Sequence, residues 1–232
     1  MEKVKVLGIV GSPRKNGNTS KLVAKALEAA GAFPWVETDL FEVAGKKISH
    51  CLSCYKCMEK GQCVIKDGLY EFCEKWVAAD GILWGVPVFH MGVPSQVKAL
   101  LDRFGNACIW QYLKQGREVP RFCKAVGVLT NGGSRYGGQD LTLSYLVNSA
   151  VLMKGIVVSG DTFSDSYLGA AAWTGQDMNF LAEDNILKDE HGIACAQNVA
   201  RRVAEMARIV KAGKAALGSE LPAEYSYTWK SE

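Results

Sequence analysis

The sequence predicts an α/β fold in which a parallel sheet is covered by helices on both faces, and three observations carry that expectation. Nearly continuous apolar runs such as Val4-Lys5-Val6-Leu7-Gly8-Ile9-Val10 and Ala125-Val126-Gly127-Val128-Leu129 suit strands buried on both sides. These runs alternate five times with segments of helical apolar spacing, and right-handed crossovers then make the sheet parallel. Three glycine- or proline-rich loops stand where such strands would end.

The first loop, Gly11-Ser12-Pro13-Arg14-Lys15-Asn16-Gly17-Asn18-Thr19-Ser20, links the first strand to a helix bearing Leu22, Val23, Ala26, Leu27 and Ala30. A strand, loop and helix in that order aim unpaired N–H groups and the positive end of the helix dipole at one point, which suits a phosphate. Ser12, Thr19 and Ser20 add hydroxyls and Arg14 adds charge. Gly17 is followed by Asn18, so the lysine of a nucleoside-triphosphatase loop is missing, and the dinucleotide pattern G-x-G-x-x-G also fails. The competing reading is a capped helix start with Asn18 or Thr19 as N-cap.

Residues 35–41 have partial alternation and fit a second strand. A cysteine-rich segment, 48–66, follows; residues 69–77 read as a short helix and 81–86 as a third strand stopped at Pro87. The loop from Pro87 to Pro94 carries Val88, Phe89, His90 and Met91 before a helix over 95–104. Residues 107–122, with Trp110, Tyr112, Gly116 and Pro120, read as an irregular insertion, a lid or a subunit contact. After the fourth strand, 125–129, the glycine-rich loop 130–138 includes Asn131, Gly132 and Gly133, and a helix over 141–153 precedes a fifth strand at 156–159. A variable stretch runs to Asp189, then a long amphipathic helix from Ile193 to about Lys211 presents Val199, Val203, Met206 and Val210 on one face. The expected organisation is one domain over 1–215 and a tail, 216–232, whose Tyr225, Tyr227 and Trp229 suit docking on a neighbouring subunit.

A formal charge of +3 over 232 residues gives no case for nucleic acid, and no apolar run approaches the length of a membrane span. With no export signal, a cytoplasmic location is expected, where eight cysteines read as thiols, ligands or catalytic groups rather than a disulfide framework. Cys73, Cys108, Cys123 and Cys195 are scattered among apolar neighbours and read as small buried hydrophobes. Cys51, Cys54, Cys57 and Cys63 crowd together. Thiols at x2 intervals followed by a longer spacer suit an iron–sulfur cluster, and structural zinc, a redox disulfide or a vestigial motif are the alternatives.

In open parallel sheets ligands bind outside the carboxyl ends of the strands, so a ligand with a phosphate at one end and a flat ring at the other would use all three loops. The residues that carry a family likeness are Gly11-Ser12-Pro13-Arg14 with Gly17-Asn18-Thr19, Gly85-Val86-Pro87-Val88, Pro94-x2-Val97-Lys98-x-Leu100-Leu101-Asp102-Arg103, and the run 130–138. Over roughly residues 3 to 160 the chain resembles the flavodoxin-like NAD(P)H-dependent FMN reductases, and its cysteine spacing resembles the iron–sulfur flavoprotein branch. The resemblance implies a doubly wound five-stranded parallel sheet of order 2-1-3-4-5. It also implies FMN with its phosphate on Ser12, Arg14, Asn18, Thr19 and Ser20, its ring beside Pro87, Val88, Phe89 and His90, and Asn131, Gly132 and Gly133 along the other edge. His90 is a candidate proton donor, with an exposed loop residue as the plain alternative. Cys51, Cys54, Cys57 and Cys63 would hold a 4Fe-4S cluster.

The implied activity is an oxidoreductase passing electrons from a ferredoxin-like carrier or NAD(P)H to a small acceptor, in a homodimer or homotetramer. Competing readings are an NAD(P)H:quinone, azo or nitro reductase without a cluster, a non-catalytic flavin electron carrier, or a flavin-bound regulatory module, for which no DNA-reading element is evident.

Overall fold

The computed structural model describes residues 3–160, 165–179 and 182–222. Tyr225, Tyr227 and Trp229, expected to dock on a neighbour, lie outside the described residues. The elements run β1 (Val4–Val10), α1 (Asn18–Gly31), β2 (Val36–Glu42), α2 (Lys56–Lys60), α3 (Leu69–Ala78), β3 (Gly81–Pro87), α4 (Ser95–Lys114), β4 (Ala125–Gly132), α5 (Gln139–Leu152), β5 (Ile156–Val157), β6 (Ala170–Trp173) and α6 (Glu190–Leu217). All strand pairs are parallel, in the order β2-β1-β3-β4-β5, with β6 also on β4.

Period-2 alternation divides the sheet into two faces with different side-chain sizes. On one face, Leu7, Ile9, Ile82, Trp84, Val126 and Val128 pack under α3, α4 and α5. Here Phe72, Trp76, Phe104 and Phe122 form a chain of edge-to-face rings. The other face meets α1 and α6 through Val4, Val6, Val10, Leu83 and Leu129. Strand glycines let those helices sit close: a Cβ on Gly85 would lie 2.1 Å from the Val23 side chain, and one on Gly127 2.5 Å from Val199. β3 and β4 are buried throughout, whereas the edge strand β2 buries only Val36 and Phe41.

Two expectations are corrected. The fifth strand position is shared: β5 pairs Ala125 and Val126, and β6, within the stretch read as variable, pairs the upper half of β4 from Leu129 to Gly132. Ala170-Ala171-Ala172 lacks the β-branched residues that advertise a strand, and the open edge of β4 overrides its local preference. Residues 107–114 are not an irregular insertion but the second half of α4, which stops where Gly116 takes a left-handed φ of 63°. No described helix is long and apolar enough to cross a membrane.

Candidate functional site

β1, β3 and β4 are adjacent, so the loops that follow them open at one sheet edge, and so do the starts of α1, α4 and α5. Their N-caps are Gly17, Pro94 and Gly138, none of which makes a side-chain cap bond. Asn18 and Thr19 are therefore the first helical residues rather than caps, and each helix start leaves N–H groups directed at the edge.

The three loops are tied to one another. Gly11 N donates to Gly85 O at 2.8 Å, and Val88 N to Asn131 O at 2.9 Å. The buried Thr19 hydroxyl donates to the Asn131 side-chain oxygen at 2.7 Å. Phe89 and Gly92 exchange both backbone hydrogen bonds around a two-residue turn, with His90 and Met91 at φ 47° and 64°. That mirror-image turn is normally made by Asn-Gly, and each left-handed non-glycine residue costs roughly 1 kcal/mol or more. The turn rests on α5: a Cβ at Gly138 would lie 2.7 Å from Met91 Cα. Phe89, Met91 and Tyr136 are exposed around this rim, and so is His90.

The five residues expected at a phosphate divide. Ser12 is buried in the loop and its Oγ accepts from Arg14 N at 3.1 Å; the Arg14 side chain is exposed and lies across Gly17. Thr19 is engaged with Asn131. Asn18 donates to Ala182 O and accepts from Ile186 N, and Ser20 donates to Glu42. Asn18 and Ser20 thus tie α1 to neighbouring segments, which leaves Ser12 and Arg14 as the candidates for a phosphate at the start of α1.

Two contributors escaped the sequence reading. The Gln139 side chain accepts from Gly137 N at 3.0 Å and donates to Ser134 O at 2.5 Å, which shapes the glycine loop from the first residue of α5. Residues 173–175 pack on the same loop: Thr174 N donates to Gly132 O, Trp173 Nε1 donates to Gly133 O, and the Arg135 guanidinium lies 4.6 Å over the Trp173 ring. Their sequence signal is confined to Trp173-Thr174-Gly175, within the stretch read as variable.

The cysteine segment lies beside α4. Cys51, Cys54, Cys57 and Cys63 line one cavity of about 40 Å³, together with Asp102, Arg103, Asn106 and Ala107. All four are free thiols. Ser53 and Tyr55, with left-handed φ of 50° and 55°, curl the chain between them, and α2 carries Cys57. The segment is pinned to α4 where Gly61 sits against Lys114, leaving only 2.7 Å between its missing Cβ and Lys114 Cβ. Burial pushes the Cys57 thiol up, and neighbouring charge on Cys63 and Cys51 would push it further, so these sulfurs sense one another. Among the described residues no three His, Cys, Asp or Glu side chains are drawn together around one point as a single metal ion requires.

Arg103 and Asp67 form an ion pair at 2.7 Å with side chains 1% and 0% exposed. Burial alone would raise the Asp67 carboxyl, but the Arg103 guanidinium and N–H groups of Ser49 and Leu69 override it and hold it below the ordinary carboxylate value.

A sequence model of the NADPH-dependent FMN reductase family matches residues 4–168. The chain belongs to that family. It is 35% identical over 208 residues to an iron-sulfur flavoprotein of Methanocaldococcus jannaschii, covering 90% of this chain and 100% of the relative. It is also 31% identical over 208 residues to an iron-sulfur flavoprotein of Methanosarcina thermophila, covering 90% and 97%. Solved structures with the same fold include a flavone reductase at TM-score 0.60 and 20% identity, matched over 90% of this chain but 64% of that one. An azoreductase from Bacillus anthracis has TM-score 0.58 and 14% identity over 86% of this chain and 99% of its own. This member of the FMN reductase family is accordingly a flavin-dependent oxidoreductase with a flavodoxin-like sheet.

Proposed function

We propose that this FMN reductase family member is an iron–sulfur flavoprotein that moves electrons between a ferredoxin-like or NAD(P)H donor and a small acceptor through a 4Fe-4S cluster and FMN. One observation supports the reading above the rest: Cys51, Cys54, Cys57 and Cys63 line one cavity beside the helix that starts at the flavin edge. The two iron-sulfur flavoprotein relatives covering about nine-tenths of this chain support it independently.

The residues present fit both groups. The uncapped start of α1, the Ser12 hydroxyl and the Arg14 guanidinium suit a dianionic phosphate. Pro87, Val88 and Phe89 offer an apolar wall, and Asn131, Gly132 and Gly133 offer close backbone approach to a ring edge. Four cysteine sulfurs and a neighbouring arginine suit an anionic iron–sulfur centre. When bound, FMN takes up a hydride or two single electrons and a four-iron cluster handles electrons one at a time, which joins the two regimes.

The chain's own work is positioning and exclusion. Thr19 and Asn131 lock the phosphate loop to the ring-edge loop, so both ends of the cofactor are set by one hydrogen bond. The strained turn at His90 and Met91 leaves Phe89 and Met91 exposed at the rim, where their apolar side chains would shield a bound ring from water. His90 stands in the same turn as the proton donor of the reading. Exposed Phe89, Met91 and Tyr136 leave apolar surface at the rim that a second copy would cover, in keeping with a homodimer or homotetramer.

Anaerobic purification followed by iron, acid-labile sulfide and flavin assays tests the proposal. About four irons, four sulfides and one FMN per chain are expected. Bound zinc, or full flavin with no iron, would refute the cluster and leave a simple nicotinamide-dependent reductase.

A further inference from the structure

Arg103 is a buried cation in a protein that could have filled its place with apolar side chains. A buried ion pair is weak support for stability, because desolvating two charges offsets their attraction. The pattern of its bonds indicates what else it does. Nη1 donates to Asp67 at 2.7 Å and to Ser49 O at 2.9 Å, and Nη2 donates to Ile65 O at 3.0 Å and to Cys63 Sγ at 3.3 Å. Ser49 lies two residues before Cys51 and Ile65 two residues after Cys63, so one guanidinium holds both sides of the cysteine segment at its neck. Asp67 completes the clasp by accepting from Ser49 N at 2.9 Å and Leu69 N at 3.2 Å. Arg103 also lines the cysteine cavity, and its Nε is buried with no partner among the described residues.

We infer that Arg103 is a positioning residue for the cysteine centre that also sets its reduction potential, by gripping the backbone on both sides of the ligand segment and donating an N–H to the Cys63 sulfur. The inference rests on the iron–sulfur reading above. Reduction of a thiolate-bound cluster adds one electron and one negative charge and breaks no bond. An N–H aimed at a ligand sulfur and a cation beside it both favour the more negative state, so they raise the potential. Asp67 works in the opposite sense, since its carboxylate neutralises part of the field that Arg103 supplies.

These opposed signs separate the inference from a purely structural clasp. The experiment is a spectroelectrochemical titration of anaerobically purified holoprotein in wild-type, Arg103→Gln, Arg103→Lys and Asp67→Asn forms, each first assayed for iron and sulfide. Arg103→Gln is expected to shift the cluster potential downward, Arg103→Lys to shift it less in the same direction, and Asp67→Asn to shift it upward. Amide hydrogen exchange of iron-free protein gives a second readout. Loss of the clasp in Arg103→Gln is expected to speed exchange across 48–66 by roughly 10- to 100-fold while the sheet is unaffected.

If Arg103→Gln fails to retain its cluster, the signs for Arg103→Lys and Asp67→Asn decide. Potentials equal to wild type in both, or shifts of one common sign, would overturn the inference while leaving the cluster reading intact. Wild-type protein without iron and sulfide would instead overturn the cluster reading, and this inference with it.

Discussion

Replacing Gly138 by alanine is expected to disable the proposed flavin edge through the backbone alone. Gly138 is the N-cap of α5 at φ 101°, ψ 22°, outside the region an L-residue occupies comfortably, so alanine there costs roughly 1–2 kcal/mol. Its new Cβ would also stand 2.7 Å from Met91 Cα, 3.1 Å from Met91 C and 3.2 Å from Met91 O. All three are backbone atoms of a turn already held at left-handed φ, so no flexible side chain can give way and the turn must shift by several tenths of an ångström or more. Overpacking of this kind costs about 1–3 kcal/mol, for a total of roughly 2–5 kcal/mol.

The cost has two outlets, and both can be read. Urea unfolding of flavin-free protein would show lost stability, while FMN titration by fluorescence quenching would show weakened binding if the turn swings outward. Gly213 supplies the control. It lies inside α6 with open space around its missing Cβ, so Gly213→Ala should stabilise by roughly 0.5–1 kcal/mol and leave FMN binding unchanged. Should Gly138→Ala match wild type in both assays to within about 0.5 kcal/mol, the argued contact between the turn and the start of α5 is wrong.

Three further outcomes are expected. Thr19→Val removes the donor to the buried Asn131 oxygen and should cost about 1–3 kcal/mol in urea denaturation, with weaker FMN binding because two loops lose their tie. Cys57→Ser should lose iron and sulfide yet retain FMN, measured on one anaerobic preparation, because the cysteine cavity is lined from 51–65 and α4 rather than from the sheet-edge loops. Burial, aided by nearby Lys214, lowers the Lys124 ammonium from its ordinary 10.5 to about 8. Between those values the unfolded chain keeps a proton that the folded chain has shed, so stability should rise with pH through that window, by at most about 3 kcal/mol. Lys124→Met should flatten that rise in urea midpoints taken at the two ends of the window.

What the sequence made legible follows from where each residue's partners lie. β1, β3 and β4 are nearly all apolar because the sheet buries both their faces, and a single run of residues carries that signal. The strand, loop and helix of residues 4–31 were legible for a similar reason, since the three are consecutive. The destinations of Asn18 and Ser20 were not, because their partners Ala182, Ile186 and Glu42 arrive from separate elements and a polar side chain does not announce which one it will meet. β6 was hidden because alanines carry no strand preference, and the second half of α4 was hidden by Gly105 and the aromatic residues after it. Arg103 stood inside a motif quoted for its family likeness, yet its role depended on Ser49, Ile65, Cys63 and Asp67 converging on it.

The same helix organises both candidate centres. α4 begins at Pro94 and Ser95, directly after the turn that rims the proposed flavin edge, and it carries Arg103, Asn106 and Ala107 to the cysteine cavity. From Ser95 to Arg103 is eight steps of about 1.5 Å, or roughly 12 Å along the axis. A rigid helix holds that separation better than the irregular chain of 48–66 could, and the buried side chains of Val97, Leu100 and Phe104 fix the helix to the sheet between the two ends. The cysteine segment has few buried side chains of its own and contains no buried residue within α2. Its place is therefore set from outside, by Gly61 against Lys114 at one point and by the Arg103 clasp at the other. Altering the clasp should change the cysteine centre while sparing the flavin edge, whereas altering the start of α4 should do the reverse.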